Sequence, residues 1–190
     1  MGTTVGIWGT GNMGRAAIRA VLGHPTLSLA TLVTSSDEKA GRDAGEFAGL
    51  APTGVQATRD VEAFAAAGVR AVAYMASGDM RPDEALADIR GLLAGGITVV
   101  SPAIYALYDP ASAPREMTDD LESAAHSGGA RLFVSGVDPG WGNDVLPLLA
   151  SGLCHSITQI RSQEIFDYST YDQEFSVREL VGMGKSMDEV

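Results

Sequence analysis

The chain has a single cysteine, Cys154, so it can form no internal disulfide, and a reducing cytoplasm fits that usage. Cys154 follows the apolar stretch Leu148–Leu153, which makes a buried structural thiol the expectation rather than a nucleophile. Positive charge is scarce. Thirteen Lys and Arg stand against 24 Asp and Glu, a formal net charge of −11 that repels phosphate backbones and anionic lipid and so argues against nucleic-acid and membrane partners. No segment is long and apolar enough to span a bilayer. The opening Met1-Gly2-Thr3-Thr4 carries neither the basic region of a secretory signal nor, at Gly6, the hydroxyl of a myristoylation site. The three histidines, His24, His126 and His155, are widely spread with no acid or thiol at ligand spacing, so no metal is expected. The Gly-x-Ser-x-Gly elbow of many hydrolases is absent as well.

What the chain does have is apolar content and a rhythm. Hydrophobic residues make up 45% of the 190, enough for a real core. Short apolar runs at Val5–Trp8, Leu27–Val33, Val55–Thr58, Val69–Met75, Ile97–Val100 and Arg131–Val134 read as strands. Helical segments separate them: Asn12–Leu22, Val61–Ala67, a helix opened by Pro82 and closed by Gly95-Gly96, Asp119–Ser127, and Asp144–Leu153. In the Pro82 helix Leu86, Ile89 and Leu93 form the expected core stripe. Strand–helix alternation repeated about five times argues for an α/β fold, a Rossmann-type doubly wound parallel sheet with helices on both faces. The pattern changes after Cys154. Residues 156–170 are polar and β-rich, so residues 1–155 are read as the dinucleotide-binding domain and 156–190 as the start of a second, incomplete α+β domain.

The sharpest motif is Gly9-Thr10-Gly11-Asn12-Met13-Gly14, which is Gly-x-Gly-x-x-Gly placed between a strand and a helix. Gly9 permits the tight turn, Gly11 lets backbone approach a pyrophosphate, and Gly14 allows helix and strand to pack closely. The free amides at the helix start hold the anion and offset the repulsion of an acidic chain. A chance Gly-rich turn is the bland alternative. The end of the second strand, which normally separates NAD from NADP, reads Thr34-Ser35-Ser36 with no acid until Asp37, and Lys39 and Arg42 follow. Ser35, Lys39 and Arg42 therefore suit the 2′-phosphate of NADP, with NAD as the other cofactor open to the chain and a solvated charged loop as the structural alternative. The nicotinamide belongs beyond the carboxyl ends of later strands, where Met75, Ala76, Ser77, Ser101, Pro102 and Ala103 leave room for a ring, or simply pack the loops. Asp138, after the sixth strand, is the first candidate for an acid acting on substrate, and Asn143 could bond substrate or carboxamide. Glu164 and Tyr168 would share one face if residues 156–170 formed a strand. An ordinary Asp-Pro-Gly turn and a helix cap are the structural alternatives at Asp138 and at Asn143 or Asp144.

Several blocks resemble the dihydrodipicolinate reductase superfamily: Met13-Gly14-Arg15, the segment Asp43-Ala44-Gly45-Glu46-Phe47-Ala48-Gly49, and Thr53-Gly54-Val55. The reductases proper carry His-His-x-x-x-Lys in the second domain and Gly-Thr-Thr-Gly after the fifth strand. Here those places read Glu164–Tyr171, without His or Lys, and Ser101-Pro102-Ala103-Ile104. Val137–Pro147 and Glu164–Tyr168 are more similar to 2,4-diaminopentanoate dehydrogenase and the NAD(P)-dependent amine dehydrogenases. That resemblance implies reversible reductive amination of a small ketone, with ammonia, by a cytoplasmic homodimer. It also implies a glutamate near the end of the fifth strand, whereas residues 101–105 hold no acid and the nearest are Asp109 and Glu116. A carbonyl reductase on the same scaffold, or a non-catalytic nucleotide-binding module, therefore stays open beside the amine dehydrogenase.

Overall fold

The computed structural model describes residues 2–188 apart from Asp79 and Asp172. It divides into two compact units, Met1–Leu146 and Pro147–Val190. The expected change of domain near His155 lies inside the second.

The first unit is built on a six-stranded sheet in the order β3-β2-β1-β4-β5-β6, every pair parallel. The strands are β1 (Thr3–Trp8), β2 (Leu27–Val33), β3 (Ala57–Thr58), β4 (Ala71–Tyr74), β5 (Thr98–Ser101) and β6 (Leu132–Val134). The main helices are α1 (Asn12–Gly23), α2 (Ala44–Ala48), α3 (Ala63–Ala66), α4 (Pro82–Ala94) and α5 (Arg115–Gly128). This is the Rossmann-type doubly wound sheet expected from the alternation.

Because side chains alternate along a strand, the sheet separates two cores. Val5 and Ile7 of β1 join Ile18, Val21, Leu32 and Phe47 on one face. Trp8 joins Phe64, Tyr74, Ile89, Leu93 and Val99 on the other. On α4 the buried stripe is Ala85, Ile89, Leu92 and Leu93, while Leu86 is only partly buried, so the helix is turned slightly from the expected face. Pro82 stands at its start with Asp83 and Glu84 in the first turn, as a helix dipole favours. The chain α5 begins earlier than expected, at Arg115, directly after Pro114.

Between β2 and β3, where the sequence shows no apolar periodicity, the chain forms α2. Asp43 makes this short helix viable. Its Oδ1 accepts from the Gly45 amide at 2.7 Å, from the Thr53 amide at 2.8 Å and from the Thr53 hydroxyl at 3.0 Å; its Oδ2 accepts from the Gly54 amide at 2.7 Å. The Asp-Ala-Gly-Glu segment and Thr53-Gly54 thus form one clamp. These bonds, the Thr53 amide first, lower the Asp43 pKa below the ordinary aspartate value. A lowered carboxylate pKa stabilises the fold above that ordinary value and loses the effect as pH falls through the folded-state pKa. Asp43→Asn should therefore melt below wild type at neutral pH. Thermal melts from pH 7 down to strongly acidic pH should show the gap closing, and a gap independent of pH would contradict the clamp.

The second unit departs further from expectation. Residues 156–167 form no strand, so Glu164 and Tyr168 share no strand face. A β-rich composition does not make a strand without a neighbour to pair with. Helix α6 (Leu146–Ser151) is shorter than expected, preceded by a π-type turn over Trp141–Val145. Cys154 is exposed rather than buried, because its apolar neighbours Leu148, Leu149 and Leu153 are themselves exposed. Phe166, Tyr168 and Tyr171 pack edge to face, with ring centroids 5.0–5.9 Å apart. No described helix is long and apolar enough to cross a membrane.

Candidate cofactor and active site

In an open parallel sheet, ligands bind outside the carboxyl ends of the strands where the strand order reverses. Here the reversal falls between β1 and β4. The Gly-rich turn leaves β1 at that point, and residues 75–77 leave β4 beside it. The amide of Gly9 donates to the Val33 carbonyl at 2.8 Å, and the amide of Met75 donates to the Trp8 carbonyl at 2.7 Å. The turn is thus bonded into the sheet on both sides.

Each glycine of the motif meets a different constraint. Gly9 has φ +122°, a conformation that L side chains rarely adopt, and a Cβ there would also press on the Met75 carbonyl. A Cβ on Gly14 would sit 2.0 Å from the Gly9 carbonyl oxygen, so helix and turn touch backbone to backbone. A Cβ on Gly11 would meet nothing within 4 Å. That side of the turn is open, and Gly11 is the N-cap of α1 with no side chain capping the helix. An unoccluded helix start with uncapped amides is the arrangement that takes a phosphate. Gly9 to Gly14 and Thr10, Asn12 and Met13 between them therefore fit a dinucleotide pyrophosphate, whose nicotinamide would supply or accept the hydride.

Thr10 and Thr34 are buried and share a hydroxyl–hydroxyl bond of 3.0 Å, tying the Gly-rich turn to the exit of β2. The Thr34 hydroxyl also accepts from the Ser36 amide at 3.3 Å. Ser35 is exposed and Lys39 half-buried at this exit. Arg42 is engaged elsewhere: its Nε bonds Glu46 at 3.2 Å and its guanidinium lies 4.9 Å above the Phe47 ring. Sequence reading passed over two cations at this edge. Arg59 follows β3 and pairs with Asp37. Arg81, at the start of α4, bonds Asp88 at 2.6 Å, and Asp88 also accepts from the Tyr74 hydroxyl at 2.8 Å. Burial, and then Asp88, push the Tyr74 pKa well above the ordinary tyrosine range. The signal for Arg59 was its place directly after the strand read over residues 55–58, but its nearness to the exit of β2 follows from the β2–β3 pairing, which local sequence does not print.

Further along the edge, Met75 and Ala76 are half-buried, and Ser77 is exposed with its hydroxyl accepting from the Met80 amide at 3.3 Å. Ser101 is fully buried. Its hydroxyl donates to the Tyr74 carbonyl at 2.8 Å and accepts from the Ala103 amide at 3.0 Å, pinning the exits of β4 and β5 together. The Pro102 carbonyl accepts from the Tyr108 hydroxyl at 3.2 Å, and Ala103 is buried. After β6, a loop closes on itself: the Trp141 amide donates to Gly136, and Asp144 Oδ2 accepts from the Gly140 amide at 2.6 Å. Asp144 thus bonds back to the backbone at the start of that turn. Asp138 is exposed on this loop and Asn143 is half-buried. Asp138 and Asn143 belong to the first unit; Glu164 and Tyr168 belong to the second. Among the described residues no group of three or more His, Cys, Asp or Glu could hold a metal ion.

Comparison with known proteins agrees with this geometry. Residues 3–73 match the profile of "Dihydrodipicolinate reductase, N-terminus". That match runs from β1 into β4 and takes in the Gly-rich turn and the Asp43 clamp. It is 61% identical over 183 residues to a Streptomyces virginiae protein named amine dehydrogenase, covering 96% of this chain and 51% of that protein. The chain thus spans about half the length of this curated relative. Among solved structures, amine dehydrogenase from Mycobacterium smegmatis superposes with a TM-score of 0.67 at 23% identity, over 82% of this chain and 45% of that one. Biliverdin reductase from Synechocystis, solved with biliverdin and NADP+, gives 0.57 at 19% identity, over 78% of this chain and 42% of that one. At these identities the structures establish a shared fold.

Proposed function

We propose that this protein is an NAD(P)-dependent amine dehydrogenase, reversibly converting a small ketone and ammonia to an amine. The observation that carries the proposal is the 61% identity to an amine dehydrogenase across nearly the whole chain, on a sheet whose Gly-rich turn has the open, uncapped helix start a dinucleotide needs. Hydride transfer asks the protein mainly to place the nicotinamide against the substrate carbon. The exits of β4 and β5 would carry the ring, and Asp138 would act on the substrate, with Glu164 and Tyr168 as further candidates. NADP is the favoured cofactor, since residues 34–36 offer no acid to a ribose hydroxyl. The proposal includes a cytoplasmic homodimer.

One observation favours a second reading, a carbonyl reductase: residues 101–105, at the exit of β5, contain no acid. A single assay separates the two. NADPH oxidation is followed with a panel of small ketones, with and without ammonia, and the products are identified. Ammonia-dependent turnover yielding amine is expected. Equal turnover without ammonia, yielding alcohol, would overturn the amine reading in favour of the reductase.

A further inference from the structure

We propose that Arg59 selects NADP over NAD by exchanging its partner Asp37 for the 2′-phosphate of the cofactor. The inference rests on the reading that the Gly9–Gly14 turn holds a dinucleotide, and it names a residue that composition and motif did not suggest.

Placement comes first. β2 and β3 run parallel with Leu32 opposite Ala57 and Val33 opposite Thr58, and the Thr34 amide donates to the Thr58 carbonyl at 2.8 Å. Arg59 is therefore one residue beyond β3, level with the exit of β2, on the carboxyl edge of the sheet. In this fold the adenosine ribose lies at the carboxyl end of the second strand. The Thr10–Thr34 bond holds that exit against the pyrophosphate turn, so the distance between the two subsites is set by the fold.

Charge decides the rest. The first carboxylate after β2 is Asp37, the only one in the turn near enough in sequence to offer itself to a ribose 2′-hydroxyl, apart from its neighbour Glu38. Arg59 Nη1 pairs with Asp37 Oδ1. With NAD, the pair stays closed and the hydroxyl gains nothing from Asp37. With NADP, the guanidinium has a better partner. The Arg59–Asp37 pair is 54% and 83% exposed, and exposed ion pairs contribute little because water competes for both ends. A guanidinium on a phosphate makes charge-assisted, forked hydrogen bonds that are stronger than that pair. The released Asp37 carboxylate is already mostly in water, so letting it go costs little. Arg42, the more obvious cation from sequence, is bonded to Glu46 and stacked on Phe47. Lys39 adds positive charge at the same exit without the forked geometry.

The test is a binding titration of NADPH and NADH to the full chain by ligand fluorescence. It compares wild type with Arg59→Ala, Asp37→Asn and Arg42→Ala, each checked for an unchanged melting temperature. Arg59→Ala is expected to raise the Kd for NADPH by about tenfold to hundredfold while moving that for NADH by less than about threefold. Asp37→Asn is expected to tighten NADPH, because a competitor and a repelling charge are gone. Arg42→Ala is expected to leave the ratio of the two affinities unchanged. The proposal is overturned if Arg59→Ala leaves that ratio unchanged, or if Asp37→Asn weakens NADPH. Wild-type protein that binds neither nucleotide would overturn the cofactor reading itself, a result distinct from either of these.

Discussion

Gly11→Val should abolish pyridine-nucleotide binding and leave the fold standing, whereas Gly14→Ala should damage the fold itself. The two glycines sit three residues apart in one motif, and sequence assigns them different tasks without showing the contacts. The structure separates them. Gly11 has φ −78° and ψ −165°, extended backbone that valine adopts readily, and its Cβ would point into open space. The added methyls then occupy the space through which a pyrophosphate must approach the amides of α1. A loss of at least roughly a hundredfold in affinity is expected, about 2.7 kcal/mol, with no fall in melting temperature beyond that of an ordinary surface change. Gly14→Ala places a methyl 2.0 Å from the Gly9 carbonyl oxygen, backbone against backbone, with no flexible side chain to yield. Overpacking of this kind costs about 3 kcal/mol. In a chain of this size that lowers the melting temperature by roughly 6–12 °C. Calorimetry and NADPH titration on the two variants check both halves. Unchanged affinity in Gly11→Val would remove the pyrophosphate from this turn.

Asp138→Asn should lower the amination rate by about 10²–10⁴-fold and leave the Kd for NADPH where it was. An iminium intermediate carries a positive charge that the starting ketone lacks, so a carboxylate nearby stabilises the path to it more than it stabilises the substrate. The loop after β6 is suited to present one. Its backbone is bonded within itself, through Gly136 to Trp141, Val137 to Gly142 and Gly140 to Asp144, and Asp138 lies exposed on it. Asn keeps the shape and removes the charge, so kcat should fall while cofactor binding does not. Glu164→Gln, measured in parallel, tests the second candidate. An Asp138→Asn enzyme aminating within a few-fold of wild type would remove Asp138 from the chemistry.

Sequence and structure agree best where one local rule dominates. The bounds of β2 and the start of α1 were legible because an apolar run, a Gly-rich turn and a helix with a Gly-His-Pro stop follow one another without competition. Helix α2 was not legible. It has five residues, one of them glycine, and it exists because Asp43 gathers amides from residues ten and eleven positions away. Arg59 escaped notice for a related reason: the strand before it was read, but the pairing of β3 with β2 that brings Arg59 level with the exit of β2 joins residues about 25 positions apart. Residues 156–170 misled in the opposite direction, since their β-rich composition is not matched by any ladder partner. Ser101 was weighed for the room it might leave a nicotinamide ring, and the structure finds it holding backbone. Ladders, clamps and pins depend on contacts across the chain, and such contacts leave little trace in local composition.

The hydroxyl bond between Thr10 and Thr34 has a kinetic side. It joins the turn after β1 to the turn after β2, two loops that would otherwise fluctuate separately. With the joint buried, their conformational entropy is lost when the chain folds, not when a nucleotide arrives. Association then resembles docking onto a rigid body, limited by diffusion and orientation instead of by a search through loop conformers.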